Sequence, residues 1–461
     1  MKDRKQAQKR LLMLDTPVHR LIPKMALPTV IAMLITSVYS VADTYFVSFL
    51  GTSATAAVGV NSSIDNAIMM AGSFLAIGAN SYISRLLGAK NEKKASGTLS
   101  TAFFCAILFG IAVAVLGLIY KKPLVVFLGA PESAVSYAMD YAQYILLAAP
   151  FMTASFVLNH CLRSEGSPFY SMVGMGIGGI LNIILDPIFI FTLNLGVGGA
   201  AMATAISKLV SFCVLVFPYV SRRSLLRLSL KKMSFAPDIV KEITLMGSPS
   251  LLRIGFTVAG NVIMNKLAGA YSDSALAAVS VASRIMMLPL SAVFGFGQGF
   301  QPVSGYNWGA GNFKRVRKSY RFASLSIVAG TARISILLII FAKPLILGFT
   351  EDDSAMVEIG RLCLISRALT LPIGAWIIVV NFLYSSMGKP GGALLIGITR
   401  QGLTFLLTSA VLNGLYGLEG LAVSQAAADI LALCVAIPLA LHAQKVITRC
   451  ERDELPQPEA E

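Results

Sequence analysis

Apolar stretches of eighteen or more residues succeed one another along nearly the whole chain, with only short polar breaks between them. A run of that length crosses the ~30 Å hydrocarbon core of a bilayer as an α-helix. Each run therefore reads as a spanning helix, and together they leave no room for a sizeable soluble domain. The charge content agrees, since only 13% of the 461 residues are charged, about half the ~25% of an ordinary soluble domain. Turn and charge signals between the runs predict helices near 25–49, 54–84, 97–120, 133–160, 168–193 and 196–220, then 243–270, 275–307, 319–342, 354–386, 391–414 and 419–443.

The formal net charge of +15 raises the question of a nucleic-acid partner, and the positions of the charges argue against one. Basic residues crowd the N-terminus, Arg85–Lys94, the connector Arg222–Lys241, the cluster Lys314–Arg321 and the tail Lys445–Arg452. With twelve spans all of these fall on one side. The alternate loops near Gly51, Lys121, Asn194, Asp273, Glu351 and Glu419 are short and poor in basic residues. Lys and Arg accumulate on the cytoplasmic side of short loops, so both termini are expected in the cytoplasm of a multi-pass cell-membrane protein. The basic surplus then serves orientation and attraction to anionic headgroups. The N-terminal segment lacks the short apolar core and small-residue cleavage site of a signal peptide, so the first run is expected to stay as helix 1. Six scattered cysteines show no CxxC pair and read as small helix-packing residues.

An internal repeat organises the chain. Pro28 and Pro249, Ala56-Ala57-Val58 and Ala277-Ala278-Val279, Gly88-Ala89-Lys90-Asn91 and Gly309-Ala310-Gly311-Asn312, Pro123 and Pro344, and Gly196 and Gly417 all recur at an offset of 221, while Gly166-x-Pro168 and Gly388-x-Pro390 match after a one-residue slip. Six helices per copy is an even number, so both copies enter the membrane in the same direction and the repeat is parallel. The expected fold class is all-α and integral to the membrane: twelve transmembrane helices in two pseudo-symmetric six-helix bundles. The N-lobe is expected over 1–220, a cytoplasmic connector over 221–242, and the C-lobe with a short tail over 243–461.

Ionisable side chains inside such helices are costly, a central Asp by at least about 2.5 kcal/mol, and point to function. Asp43 follows the polar-speckled stretch Thr36–Ala42 of helix 1, and Asp186 stands in Asn182-Ile-Ile-Leu-Asp186-Pro187 of helix 5. The i, i+4 spacing puts Asn182 and Asp186 on one face, where amide oxygen and carboxylate can address one ion or proton. Pro187 lacks an N–H and frees the carbonyl of Ile183. Helix 6 offers Ala200 and Thr204, again four apart. The plainer alternative is that Asp43 and Asp186 merely bond neighbouring helices. Asp65 and Asp140 read as solvated, and Lys208, Arg333, Arg361, Arg367 and Asp429 receive no role. The GxGxxG at Gly174, Gly176 and Gly179 lies in an apolar span and reads as close helix packing. His19, His160 and His442 lack metal-ligand spacing, and no phosphate loop or catalytic triad occurs. The chain therefore reads as a secondary transporter without a cofactor rather than an enzyme.

These residues together resemble the multidrug and toxic compound extrusion (MATE) family over essentially the whole chain. The resemblance rests on helix 1 with Pro28 and VADTYFVSFLG around Asp43, and on the paired GAKN and GAGN loops. It rests also on Gln298-Gly-Phe-Gln301-Pro302 running into SGYNWGAGN, on SEGSP with its counterpart SMGKP, and on the helix-5 motif. It implies two six-helix lobes that open inward and outward by turns and export amphipathic, often cationic compounds in exchange for protons or sodium. It further implies a cation site at Asp43, Asn182, Asp186 and Thr204, with the Ala200 carbonyl as a candidate ligand, and no other metal. Acids that one branch carries in helices 7 and 10 are missing here, where Asn261, Asn265, Arg367 and Asn381 stand, so the chain looks closer to the DinF-type branch.

The leading expectation is that a proton or sodium ion at Asp43 and Asp186 favours a helix 1 bent near Pro28 and displaces substrate from a central cavity. Asn261, Asn265, Arg284, Gln298, Gln301, Asn381 and Arg400 are candidates to line that cavity, and the protein is expected to act as a monomer. The alternative is a flippase for lipid-linked sugars, with the C-lobe arginines holding a pyrophosphate.

Overall fold

A computed structural model describes residues 2–349 and 353–452. The predicted acidic loop at Glu351 and the acidic end of the tail lie outside the described residues. Among those residues there is helix and turn but no strand, as a chain that must satisfy its backbone inside lipid requires.

The first repeat comprises α1 (Lys2–Asp15), α2 (Val18–Ser48), α3 (Thr52–Gly88), α4 (Glu92–Ile119), α5 (Lys121–Phe127), α6 (Val135–Ser164), α7 (Pro168–Pro187) and α8 (Gly196–Val220). The second comprises α9 (Pro237–Tyr271), α10 (Asp273–Gly309), α11 (Phe313–Ile340), α12 (Ala342–Leu347), α13 (Ser354–Ser386), α14 (Pro390–Ile398) and α15 (Thr404–Glu451). Ten described helices are long and apolar enough to cross a membrane, the last of them running Pro390–Glu451. That last run breaks at Gly417, whose φ of 58° lies in the left-handed region, so it supplies two spans. The 35 residues of α9 are long enough for another, but Arg253, Asn261, Asn265 and Lys266 lower its hydropathy.

The repeat recurs as local chemistry. Asn91 caps α4 by accepting from the Lys94 amide at 3.1 Å, and Asn312 caps α11 by accepting from the Arg315 amide at 3.3 Å. The residue before each cap is left-handed, Lys90 at φ 64° and Gly311 at φ 71°. The short helices α5 and α12 begin at Lys121 and Ala342, again 221 apart, where the sequence predicted only the ends of longer helices.

The chain forms two compact units: Met1–Asp15 with Leu27–Gly247, and Thr16–Ala26 with Ser248–Glu461. The first unit thus includes the opening turns of α9, and the second includes the opening turns of α2. Each of these segments crosses a glycine. In the first unit a Cβ on Gly78 would sit 2.3 Å from the Ile243 carbonyl oxygen, and one on Gly247 2.3 Å from that of Phe74. In the second, a Cβ on Gly299 would sit 2.4 Å from the Ala26 Cα. Gly78 and Gly299 are 221 apart, so one backbone-to-backbone crossing is built twice. Arg85 to Glu242 and Lys94 to Asp238, both at 2.6 Å, fasten the opening of α9 within the first unit. The connector is fastened there too, with the Glu165 carboxylate accepting from the Leu225 amide at 2.7 Å.

Several helices exceed their predictions, α4 from Glu92 and α11 from Phe313 among them. The sequence predicts helix 1 from 25 and helix 7 from 243, whereas α2 starts at Val18 and α9 at Pro237. The added turns are polar, so the apolar period does not register them. The same holds for α1, whose KDRKQAQKRLLMLD has no apolar run to announce a helix.

Candidate functional site

The candidate site lies in the first unit and is made from three i, i+4 pairs on three helices. Tyr39 and Asp43 come from α2, Asn182 and Asp186 from α7, and Thr204 and Lys208 from α8, where Ala200 begins the same stripe. Residues four apart lie on one helix face, so each helix presents two polar groups together. Asp65 of α3 and Tyr141 of α6 complete the set.

Asn182 is the organising group. It is buried, and its Nδ2 donates to Asp186 Oδ1 and to Thr204 Oγ1, both at 3.1 Å. Asp186 is wholly buried and Thr204 nearly so, and Tyr141 hydrogen-bonds the Thr204 hydroxyl. Pro187 closes α7, and a π-helical turn, Ile188–Thr192, follows at once. Such wide turns inside helices occur often at functional sites. Ala200 is fully buried in α8.

The electrostatics set acids beside one ammonium group. Asp43 interacts with Asp65 and Lys208, and Asp186 interacts with Asp43, so three carboxylates share one region with one ammonium group. Lys208 Nζ donates to Tyr39 Oη at 2.7 Å and lies 4.6 Å from the centre of the same ring. Asp43 Oδ1, Asp65 Oδ1, Asn182 Oδ1 and Asp186 Oδ2 are buried without a hydrogen-bond partner. Leaving a buried acceptor unsatisfied costs on the order of 1–3 kcal/mol, and more when it is charged. Four such oxygens would be satisfied by a proton or by a small hard cation, which takes oxygen ligands. Among the described residues no three His, Cys, Asp or Glu side chains converge as a metal site, so amide and hydroxyl oxygens would have to complete any cation's shell.

Asp43, Asn182, Asp186 and Thr204, singled out in the sequence, therefore fall in one region. Asp65 joins them, although the sequence suggested a solvated acid. Its Oδ1 is buried; position along a helix does not reveal which way a side chain turns. Tyr39, Tyr141 and Lys208 were not singled out. The run Ala200, Thr204, Lys208 at steps of four was the signal for Lys208. Pro28 lies within α2, which continues as a helix through it.

The second unit holds the remaining candidates. Asn261, Asn265 and Arg284 are exposed, Gln298 is half-buried and Gln301 fully buried. Asn381 donates to the Ala393 carbonyl at 2.7 Å, which joins α13 to α14. Arg400, in the π-helical turn Thr399–Leu403, is buried and paired with Asp429 at 2.8 Å.

The profile of the MatE family matches residues 28–188 and again 249–409, two stretches offset by the same 221. Multidrug export protein MepA of Staphylococcus aureus (strain MRSA252) is 28% identical over 450 residues, 95% of either chain. The MepA of Staphylococcus saprophyticus is 28% identical over 401 residues, 86% of this chain and 87% of its own. Among solved structures, an outward-facing multidrug resistance MATE family transporter of the MOP superfamily matches with a TM-score of 0.89 at 25% identity, covering 95% of this chain and 98% of that one.

Proposed function

We propose, from the premise that this chain belongs to the MatE family of membrane transporters, that it is a secondary multidrug exporter driven by a cation bound in its first unit. It is a transporter and not an enzyme. The observation that carries the coupling is the set of four buried, unpartnered oxygens of Asp43, Asp65, Asn182 and Asp186, which cost stability as they stand and offer a cation or proton its seat.

In this reading Asn182 orders the site. Its amide N–H2 holds Asp186 and Thr204, which turns its own oxygen and the second Asp186 oxygen toward the ion. Asp43 brings helix 1 to the same ion. Pro28 lies two residues past the Ala26–Leu27 point where α2 passes from the second unit to the first. Removal of the helix hydrogen bond at Pro28 makes it the hinge through which occupancy at Asp43 bends helix 1. Alternating access follows: ion entry from outside neutralises the site, helix 1 bends, and the amphipathic compound is released outward. The basic loops support a topology with both termini in the cytoplasm.

The lipid-linked-sugar flippase is not favoured. The curated relatives are multidrug export proteins, and Arg400, one of the arginines invoked for a pyrophosphate, is already held by Asp429.

The test is export of rhodamine 6G from proteoliposomes holding the purified protein, with a proton gradient or a sodium gradient imposed separately. One of the two is expected to drive export, which stops when that gradient is collapsed. Equal export with no gradient would defeat the reading.

A further inference from the structure

The two units carry counter-ions of opposite sign at the same place. Lys208 of α8 and Asp429 of α15 are 221 apart, the offset of the whole repeat. Around Lys208 stand Asp43 and Asp65. Beside Asp429 stands Arg400. Asp429 Oδ1 accepts from Arg400 Nε at 2.8 Å, with both side chains buried, and Arg400 in turn lies within electrostatic reach of Arg253. The acids have apolar counterparts across the repeat, Met264 for Asp43 and Met286 for Asp65, and Arg253 answers to Ala32. The duplication has thus been inverted in charge.

Within the second unit Arg400 and Arg253 differ in how their charge is met. Asp429 neutralises Arg400, and the backbone is shaped for that pair, because a Cβ on Gly374 would sit 2.4 Å from Arg400 Nη2 and 3.2 Å from Asp429 Oδ2. Arg253 has no carboxylate partner among the described residues. Its guanidinium lies 5.1 Å from the centre of the Phe294 ring. One turn on, Thr257 Oγ1 donates to Gln401 Oε1 at 2.7 Å, which ties this stretch of α9 to the turn that carries Arg400. Taking the predicted span 243–270 at 1.5 Å per residue, Arg253 is about 15 Å from one end and about 26 Å from the other. It therefore stands well inside that span rather than at its ends. Residues of this kind mark ligand pathways.

We propose that Arg253, flanked by Phe294 and by the Arg400–Asp429 pair, is a binding subsite for the anionic group of the exported compound: a carboxylate or sulfonate on an amphipathic, aromatic molecule. The guanidinium fork meets such a group with two parallel hydrogen bonds, and the Phe294 face packs against the guanidinium plane. Asp429 keeps Arg400 from offering a second free cation, so the subsite carries a single positive charge. The substrate class rests on the export reading above, whereas the subsite itself does not.

Two matched dyes test it: rhodamine 19, which bears a free carboxylate, and its ethyl ester rhodamine 6G. Binding of each to the full-length protein purified in detergent is measured by fluorescence anisotropy, with no ion gradient present. The wild type is expected to bind both. Arg253→Met is expected to weaken rhodamine 19 by about tenfold, the scale of one charge-assisted hydrogen bond, while rhodamine 6G shifts less than about twofold on the same scale. Arg253→Lys is expected to recover part of the loss, and retained rhodamine 6G binding shows that both variants are folded. Equal weakening of the two dyes, or no change for rhodamine 19, would overturn the proposal. Because equilibrium binding needs no gradient, failure here leaves gradient-driven export standing, and failure of export leaves this result standing.

Discussion

Lys208 sits beside acids without forming an ion pair with any of them among the described residues, its ammonium group being taken by Tyr39. It acts as a tethered cation next to the place where a free one would bind. Charges within ~8 Å at an effective dielectric near 20 interact by roughly 2 kcal/mol, so Lys208 must weaken sodium in favour of a neutral proton-bearing carboxyl. Lys208→Met is expected to tighten sodium binding by tenfold or more, an order-of-magnitude reading of that energy, in calorimetry on the purified protein. An unchanged sodium affinity would remove Lys208 from the site. At this scale the sequence was most informative where a polar group interrupts an apolar run: Asp43, Asn182 and Asp186 stood out for that reason. It was least informative for Asp65 and Arg253, whose roles depend on which side of the helix they face. Hydropathy carries no such direction.

The helices themselves were legible wherever lipid dictates their composition. What escaped were segments without a long apolar run: α1, the short α5 and α12, and the polar opening turns of α2 and α9. Those opening turns depend on glycines, and the repeat makes a paired prediction possible. Gly78→Leu in the first unit and Gly299→Leu in the second would each drive a side chain into backbone, 2.3 Å and 2.4 Å away at the Cβ. Overpacking typically costs about 1–3 kcal/mol or more, so each is expected to lower the Tm measured by thermal unfolding in detergent. Gly255→Ala in α9 is the control, since nothing lies within 4 Å of its Cβ and alanine favours a helix over glycine by ~1 kcal/mol; its Tm is expected to hold or rise. A tolerated Gly299→Leu would mean that the close crossing with Ala26 is not needed.

For the molecule as a whole, duplication explains both what the two halves share and where they part. The prolines of helix 1 and helix 7, the asparagine caps, the left-handed Gly196 and Gly417 and the Gly78 and Gly299 crossings recur at one offset, because they set the backbone. Buried charges do not recur: acids stand around Lys208 in the first, whereas Arg400 pairs with Asp429 in the second. The symmetric frame was readable as repeated turn chemistry in a single sequence. The inversion of charge was only half readable, since the missing acids of the second half showed while Arg400 had no visible partner until it met Asp429.

The central claim is that cation coupling resides in the first unit alone, and the most direct measurement is gradient-driven export of rhodamine 6G from proteoliposomes by Asp43→Asn and Asp186→Asn beside the wild type, at matched protein content. Each variant is predicted to abolish export under the gradient that drives the wild type. Full export by both would contradict the account.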